Sequence, residues 1–363
     1  MTRVGMFTAL LAVTLGAESQ EPQVQVSGGI TAVALYPDDS RIEAGRSVSA
    51  DLYLQRPFLN GQWLAYIEGN SNLDPGGAST LLIEANADAG SALDPDRDGR
   101  IQLSELYYQF SHADGDRLTA GLLDPSSYLD RTRITNDENV QFLGASFVNN
   151  PTIAFPDYTL GAVYEKPGSG RRPQLNAVLT SSNGLADNPN LSYSQLIRLR
   201  GDDDGAFAAL GLGWVSERRL VRVGAWVNTR THLILAGDGR TMENYGTYLV
   251  FGQSWADHAM SLRLGLANEK VSEGSEFAAL AYRYRWRDHA IGVGLARTFL
   301  SDSIRDPELS DSTHLEVFGR FTINGSIHLT ASVQHLRHSG FVAAESDARN
   351  SVMVGGMRLH YAF

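Results

Sequence analysis

The last thirteen residues, 351–363, restrict the fold of this chain more than any other segment. Met357, Leu359, Tyr361 and Phe363 fall on one face of an extended strand, and Arg358 and His360 fall on the other. Period-two alternation half-buries a strand, but here the apolar face ends in aromatic rings and the opposite face is charged. Such a strand suits a wall between hydrocarbon and a wet interior better than a protein core. In hydrocarbon no water is present to pair a free strand edge, so the sheet that uses this strand must close on itself.

The rest of the chain carries the same pattern. From Val24 onward, extended segments alternate with Gly, Asp, Asn and Pro; residues 24–36, 47–58 and 62–70 are the first three. In the second of them Val48, Ala50, Leu52 and Leu54 share a face opposite Ser47, Ser49, Asp51 and Tyr53. Residues 118–123 and 158–165 read as strands, as do 206–217, 220–230, 243–255, 258–268, 276–286, 289–299, 313–323 and 326–337. The links alternate between tight ones, such as Ala256-Asp257 and Arg287-Asp288, and long ones, such as 231–242 and 300–312. Short turns at one end and long loops at the other are the plan of an outer-membrane barrel. The expectation is an all-β, single transmembrane antiparallel β-barrel of about 16 strands; 18 is the alternative if 190–200 and its neighbours pair separately. Helical spacing rarely persists beyond two turns, glycine interrupts it throughout, and no blade-like repeat appears.

Composition narrows the function classes. No run approaches the 18 or more apolar residues of a membrane helix. Arg3 followed by the apolar stretch 4–15 and small residues at Gly16, Ala17 and Ser19 has the shape of a signal peptide over 1–19, leaving 20–363 as the barrel. Cysteine is absent, which removes disulfides, thiolate catalysis and Cys-based metal sites. A net charge of −11 opposes a nucleic-acid partner. Lys166 and Lys270 are the only lysines; arginine supplies the other positive charges, and its planar fork grips carboxylate and phosphate well.

One short motif is sharp. Residues 94–105 match the twelve-residue calcium loop of the EF-hand: Asp94, Asp96 and Asp98 at positions one, three and five, Gly99 at six, and Glu105 at twelve as the closing bidentate carboxylate. Arg100 would offer its carbonyl at seven and Gln102 would act directly or through water at nine. Ile101 would pack behind the loop. Residues 81–89 could supply a short entering helix, whereas the exit at 106–110 is strand-like. Because 113–116 reads as a tight turn, the calcium loop belongs to the opposite, external end of the barrel.

A second long connection, 124–157, exceeds what a mere link needs. Folded inward it would narrow a pore and set Asp130, Arg131, Arg133, Asp137 and Glu138 where solute passes; folded outward it would cover the barrel mouth. Gly121 to Asp124, Asp137-Glu138, Gln141-Phe142, Phe147 and Asn149-Asn150-Pro151-Thr152-Ile153-Ala154 resemble the corresponding region of the carbohydrate-selective porin family. The resemblance is strongest over 117–165, and elsewhere it rests on strand pattern and on the terminal Phe363, which is similar to the assembly signal of outer-membrane barrels. It implies a barrel of about sixteen strands that passes sugars by diffusion, and the calcium loop is not part of the family pattern.

The function expected is therefore a porin for passive diffusion of small hydrophilic solutes, with carbohydrates the class that the resemblance implies, in the outer membrane of a Gram-negative bacterium, with Ca2+ on an external loop. Outer-membrane lipid is the expected surrounding. One alternative is a calcium-binding surface barrel with a structural or adhesive role. The other is an outer-membrane hydrolase, but the nine histidines are scattered and neither a His-Glu-x-x-His helix nor a Gly-x-Ser-x-Gly turn is present. The chain reads as no enzyme.

Overall fold

The computed structural model describes residues 23–89, 92–185, 193–199, 204–237, 239–304, 309–339 and 351–363. The expected signal segment, 1–19, lies outside them. Sixteen antiparallel strands form one closed barrel. In chain order they are β1 (Gln25–Pro37), β2 (Gly45–Phe58), β3 (Gly61–Asn70), β4 (Ile101–Ser111), β5 (Arg117–Leu123), β6 (Thr159–Lys166), β7 (Gln174–Ser181) and β8 (Ala206–Val215). They continue as β9 (Arg219–Leu233), β10 (Thr241–Trp255), β11 (His258–Ala267), β12 (Gly274–Trp286), β13 (His289–Leu300), β14 (Ser312–Thr322), β15 (Ile327–Arg337) and β16 (Ser351–Ala362). Each strand pairs with its sequence neighbours, and β1 closes onto β16. The seam is finished by Gly28 and Phe363, whose backbone groups exchange two hydrogen bonds of 3.0 Å.

Alternation decides which side of the wall each residue faces. On β13, Ile291, Val293 and Leu295 are about half exposed outside, while Ala290 and Ala296 are buried within. On β16, Met357, Leu359 and Tyr361 face out, and Arg358 and His360 are buried inside. Surrounded by water, each such outward side chain would forgo roughly 1 kcal/mol of burial, and large apolar residues of this kind recur on the outward face of strand after strand. Trp63, Trp214, Trp255, Trp286, Phe321 and Phe363 are outward-exposed beside the short turns. They form the aromatic girdle expected at a membrane interface. The short turns bring backbone strain that the sequence tolerates, with Leu59, Ala256 and Arg287 at φ values of 50°, 46° and 54°.

Three details differ from the sequence expectation. The eighteen-strand alternative is not realised, because 193–197 winds into a 3-10 turn instead of pairing. The entering segment at 81–89 is a four-residue helix, α1 (Ala78–Leu81), and a 3-10 turn at Ile83–Ala85. Ile101 starts β4 and is 84% exposed, so it does not pack behind the loop.

The core sits inside the barrel, where the long links 71–100 and 124–158 dock against the inner wall. The second link carries α2 (Ser126–Leu129) and α3 (Ala145–Val148). Ile134, Phe142 and Phe147 from it pack with Phe277, Ala279, Ala281, Ala296 and Phe318 of the wall. The first link packs Ala78, Leu82 and Ala85 against Val33, Leu35, Leu336 and Val354.

Candidate pore constriction and calcium loop

The 124–158 link is fastened to inward side chains around most of the barrel. Arg263 on β11 is 1% exposed, pairs with Asp130 at 2.6 Å, and donates to the carbonyls of Ser146 at 2.5 Å and Val148 at 3.2 Å. Arg222 on β9 donates to the Leu129 carbonyl at 3.0 Å, and Arg320 on β14 to that of Val140 at 2.9 Å. Arg358 on β16 donates to the carbonyls of Glu138 and Gln141. Glu316 on β14 accepts from the backbone nitrogens of Leu143 and Gly144 at 3.0 and 2.8 Å. Asn139 bonds with Thr31 on β1 and donates to Asp51 on β2. Loop carbonyls that would otherwise be stranded in the lumen thus find donors on the wall.

Small wall residues make the inward fold sterically admissible. A Cβ on Gly294 would lie 2.5 Å from the Phe147 ring, and one on Gly265 would lie 2.0 Å from the Thr152 hydroxyl. Phe142 meets Phe147 at 4.7 Å and Phe318 edge-on at 4.9 Å, so the turn of the loop is stapled by aromatic contact.

The five residues expected at a constriction separate into two groups. Asp130 is fully buried against Arg263 and anchors the loop instead of facing a solute path. The reason is the inward position of Arg263 between small neighbours on β11. Arg133 is exposed, and Arg131, Asp137 and Glu138 are half-buried in the loop's central turn. Burial pushes the Glu138 carboxyl up to about 8, with Asp137, Asp88 and Asp51 adding repulsion. Burial also raises Asp137, against the pull of the Val140 nitrogen and Arg131.

Sequence reasoning missed the second inner loop. Ser49 donates to Asp88 at 2.7 Å, Asn86 donates to Ser47 at 3.0 Å, and Gln334 donates to the Ala85 carbonyl at 2.9 Å. The Ala87 nitrogen donates to the Leu143 carbonyl at 2.9 Å and ties the two loops together. Burial raises Asp88 to about 7, opposed by its bond from Ser49. The missed signal was the polar inner face of β2, Ser47, Ser49 and Asp51, which has more hydrogen-bonding groups than a bare wall needs.

At the calcium motif, Asp94 winds the turn by accepting from the nitrogens of Asp96 at 2.9 Å and Asp98 at 2.8 Å. Arg97 there takes a φ of 66°. Asp98 accepts from Asn72 at 2.7 Å. The later ligand positions have other partners. The Arg100 carbonyl accepts from the Asn70 nitrogen, and the Gln102 side chain bonds Arg100 and Ser104. Glu105 stands within β4 and accepts from the Asp124 nitrogen at 2.9 Å. Among the described residues no three carboxylates or imidazoles converge to hold a metal. The donor set in this arrangement does not fit a closed calcium cage. A register shift between Tyr66 and Ile67 on β3 sets Glu105 beside Tyr66 and keeps it in the wall.

No family model matches the chain, and no curated protein matches its sequence. Solved structures do match its shape. OprB of Pseudomonas putida superposes with a TM-score of 0.70 at 12% identity, covering 94% of each chain. A mutant of the Rh. blastica porin gives 0.55 at 12% identity over 94% of this chain and all of that one. OmpT of Vibrio cholerae with its loop L8 deleted, an outer membrane protein, gives 0.57 at 10% identity over 95% of this chain and all of that one. At such identities the likeness speaks for architecture, and the architecture is the closed sixteen-strand barrel of porins.

Proposed function

We propose that this chain is an outer-membrane porin of a Gram-negative bacterium that lets small hydrophilic solutes diffuse through its lumen, and is not an enzyme. The observation that carries the reading is the 124–158 link, docked inside a barrel whose outer wall is apolar. A loop there narrows a channel and presents Arg131, Arg133, Asp137 and Glu138 to what passes. Carbohydrates are the finer proposal, supported by the resemblance over 117–165. Reconstituted in planar bilayers, the folded protein should give discrete conductance steps. Liposomes carrying it should swell at rates that fall with sugar size. A folded preparation that gives neither would leave a structural or adhesive role as the better account.

Calcium on the 94–105 loop is a second proposal, favoured by the way the Asp94 carboxylate organises the turn around Asp96 and Asp98. Binding would require Glu105 to leave the Asp124 nitrogen and close the site. Calorimetric titration should then show calcium binding at roughly the 10⁻⁴ to 10⁻³ M level usual for extracellular sites. Both Asp94→Asn and Glu105→Gln should weaken it strongly. Absence of binding by the wild-type protein at millimolar calcium would remove the ion from the account, and the channel reading would stand without it.

A further inference from the structure

The pairing register places arginines on alternate strands of one row around the inner wall. Arg285 on β12 is opposite Ala290 on β13, which is opposite Arg320 on β14; Thr330 on β15 follows, then Arg358 on β16. Strands are about 4.8 Å apart, so Arg285 and Arg320 start roughly 10 Å from one another with only the Ala290 methyl between them. Arg283 lies one inward step along β12 from Arg285, and loop residue Arg133 is near enough for its charge to act on Arg283. The row is close to the short turns, below the docked loop.

Most arginines in this lumen are consumed by the loop. Arg222 and Arg263 hold it, and Arg358 is fully buried beneath it. Arg283 has a buried Nε with no hydrogen-bond partner, and so does Arg320, whose Nη1 alone reaches the loop. Around Arg283 the neighbouring charges are Arg320, Arg285 and Arg133 against Asp137. Asp257, largely exposed in its turn, lies 3.6 Å from Arg285. Among the described residues the charges acting on Arg283 are thus three guanidiniums against one carboxylate, and His328 lies near Arg320 on the adjacent strand. Like charges held together with unfilled donors are costly unless an anion completes them. Planar forks at this spacing match carboxylate and phosphate oxygens, not the neutral hydroxyls of a plain sugar.

From this arrangement we infer that Arg283, Arg285 and Arg320, with Arg133, form an anion-binding station in the lumen, which selects small hydrophilic solutes bearing a carboxylate or phosphate. The inference rests on the channel reading and narrows it to a solute class. Long flexible stems let three or four guanidiniums converge on one anionic group, release it, and pass it toward the short-turn mouth. A row of fixed positive charge also raises the local anion concentration in a narrow, low-dielectric passage.

The test uses the full-length protein in planar bilayers at pH 6, with inorganic phosphate, gluconate and glucose as probes. The wild-type channel should prefer chloride over potassium in a salt gradient. Phosphate and gluconate should reduce the current saturably, and glucose at equal concentration should not. Arg283→Gln with Arg285→Gln should raise the half-blocking concentration of both anions about tenfold. Arg46→Gln, on the outer wall, should leave that concentration unchanged. Equal block of wild type and double variant, or block by glucose as strong as by gluconate, would overturn the station while discrete conductance steps kept the channel intact. Absence of any steps would overturn both readings together.

Discussion

Replacing Asp130 by alanine should destabilise the docked loop by about 3–5 kcal/mol and enlarge the conducting path, because Arg263 would be left charged and unpaired in a dry site. Asp130 and Arg263 are 0% and 1% exposed and meet at 2.6 Å. Arg263 also holds the carbonyls of Ser146 and Val148, so its misplacement propagates to α3 and to the Phe142–Phe147 staple. The sixteen-strand ladder does not run through this pair. The barrel should therefore still fold while the thermal transition of the loop shifts downward and single-channel conductance rises. Asp130→Leu combined with Arg263→Met removes both charges at once and should recover much of the loss, as expected where a broken pair costs more than an absent one. Conductance and melting identical to wild type in the alanine variant would show that the loop is held by its apolar contacts alone.

Wall and loop differ in how readable they were. Period-two alternation and tight links at Ala256-Asp257 and Arg287-Asp288 are local properties of the chain, and they set strand number, the side each residue faces, and the end at which the loops lie. Final-strand residues Arg358 and His360 were correctly assigned to the inner side for the same reason. Loop docking depends instead on partners far away in sequence. Asp130 is 133 residues from Arg263, and Glu316 is 173 from Leu143. Nothing local marks Asp130 as the fully buried partner of Arg263 and Glu138 as half-buried in the central turn, although both are acids in one long link. The calcium motif is split in another way. Its spacing assumes that twelve residues stay in a loop, but from Ile101 onward they join the β3–β4 ladder, so Glu105 is held in the wall, apart from the turn that Asp94 organises. Small inward residues on β11 and β13, Ser261, Gly265, Gly292 and Gly294, were the available hint that something packs within.

Ion selectivity should reverse its trend with pH because the lumen carries carboxyls whose protonation falls in the neutral range. Burial raises Asp88 to about 7 and Glu138 to about 8, and each is pushed further by neighbouring acids. At pH 6 both are mostly neutral, and the arginine row dominates the field. Between pH 6 and 9 two negative charges develop on the inner loops, so potassium permeability should rise relative to chloride. Two unit charges on loops enclosed by the low-dielectric barrel are weakly screened, so the permeability ratio should change by roughly tenfold. The sign for docking follows from the same shift. A carboxyl whose folded value exceeds its unfolded value favours the folded loop while it is protonated. That contribution is present below the unfolded value near 4.5 and is lost as pH rises toward 8 for Glu138. Reversal potentials across a fixed potassium chloride gradient, taken at half-unit pH steps, give the curve directly. Glu138→Gln should remove the upper part of the step and leave the part near pH 7. A flat profile from pH 6 to 9 in the wild type would mean that these carboxyls are not exposed to the permeating ions.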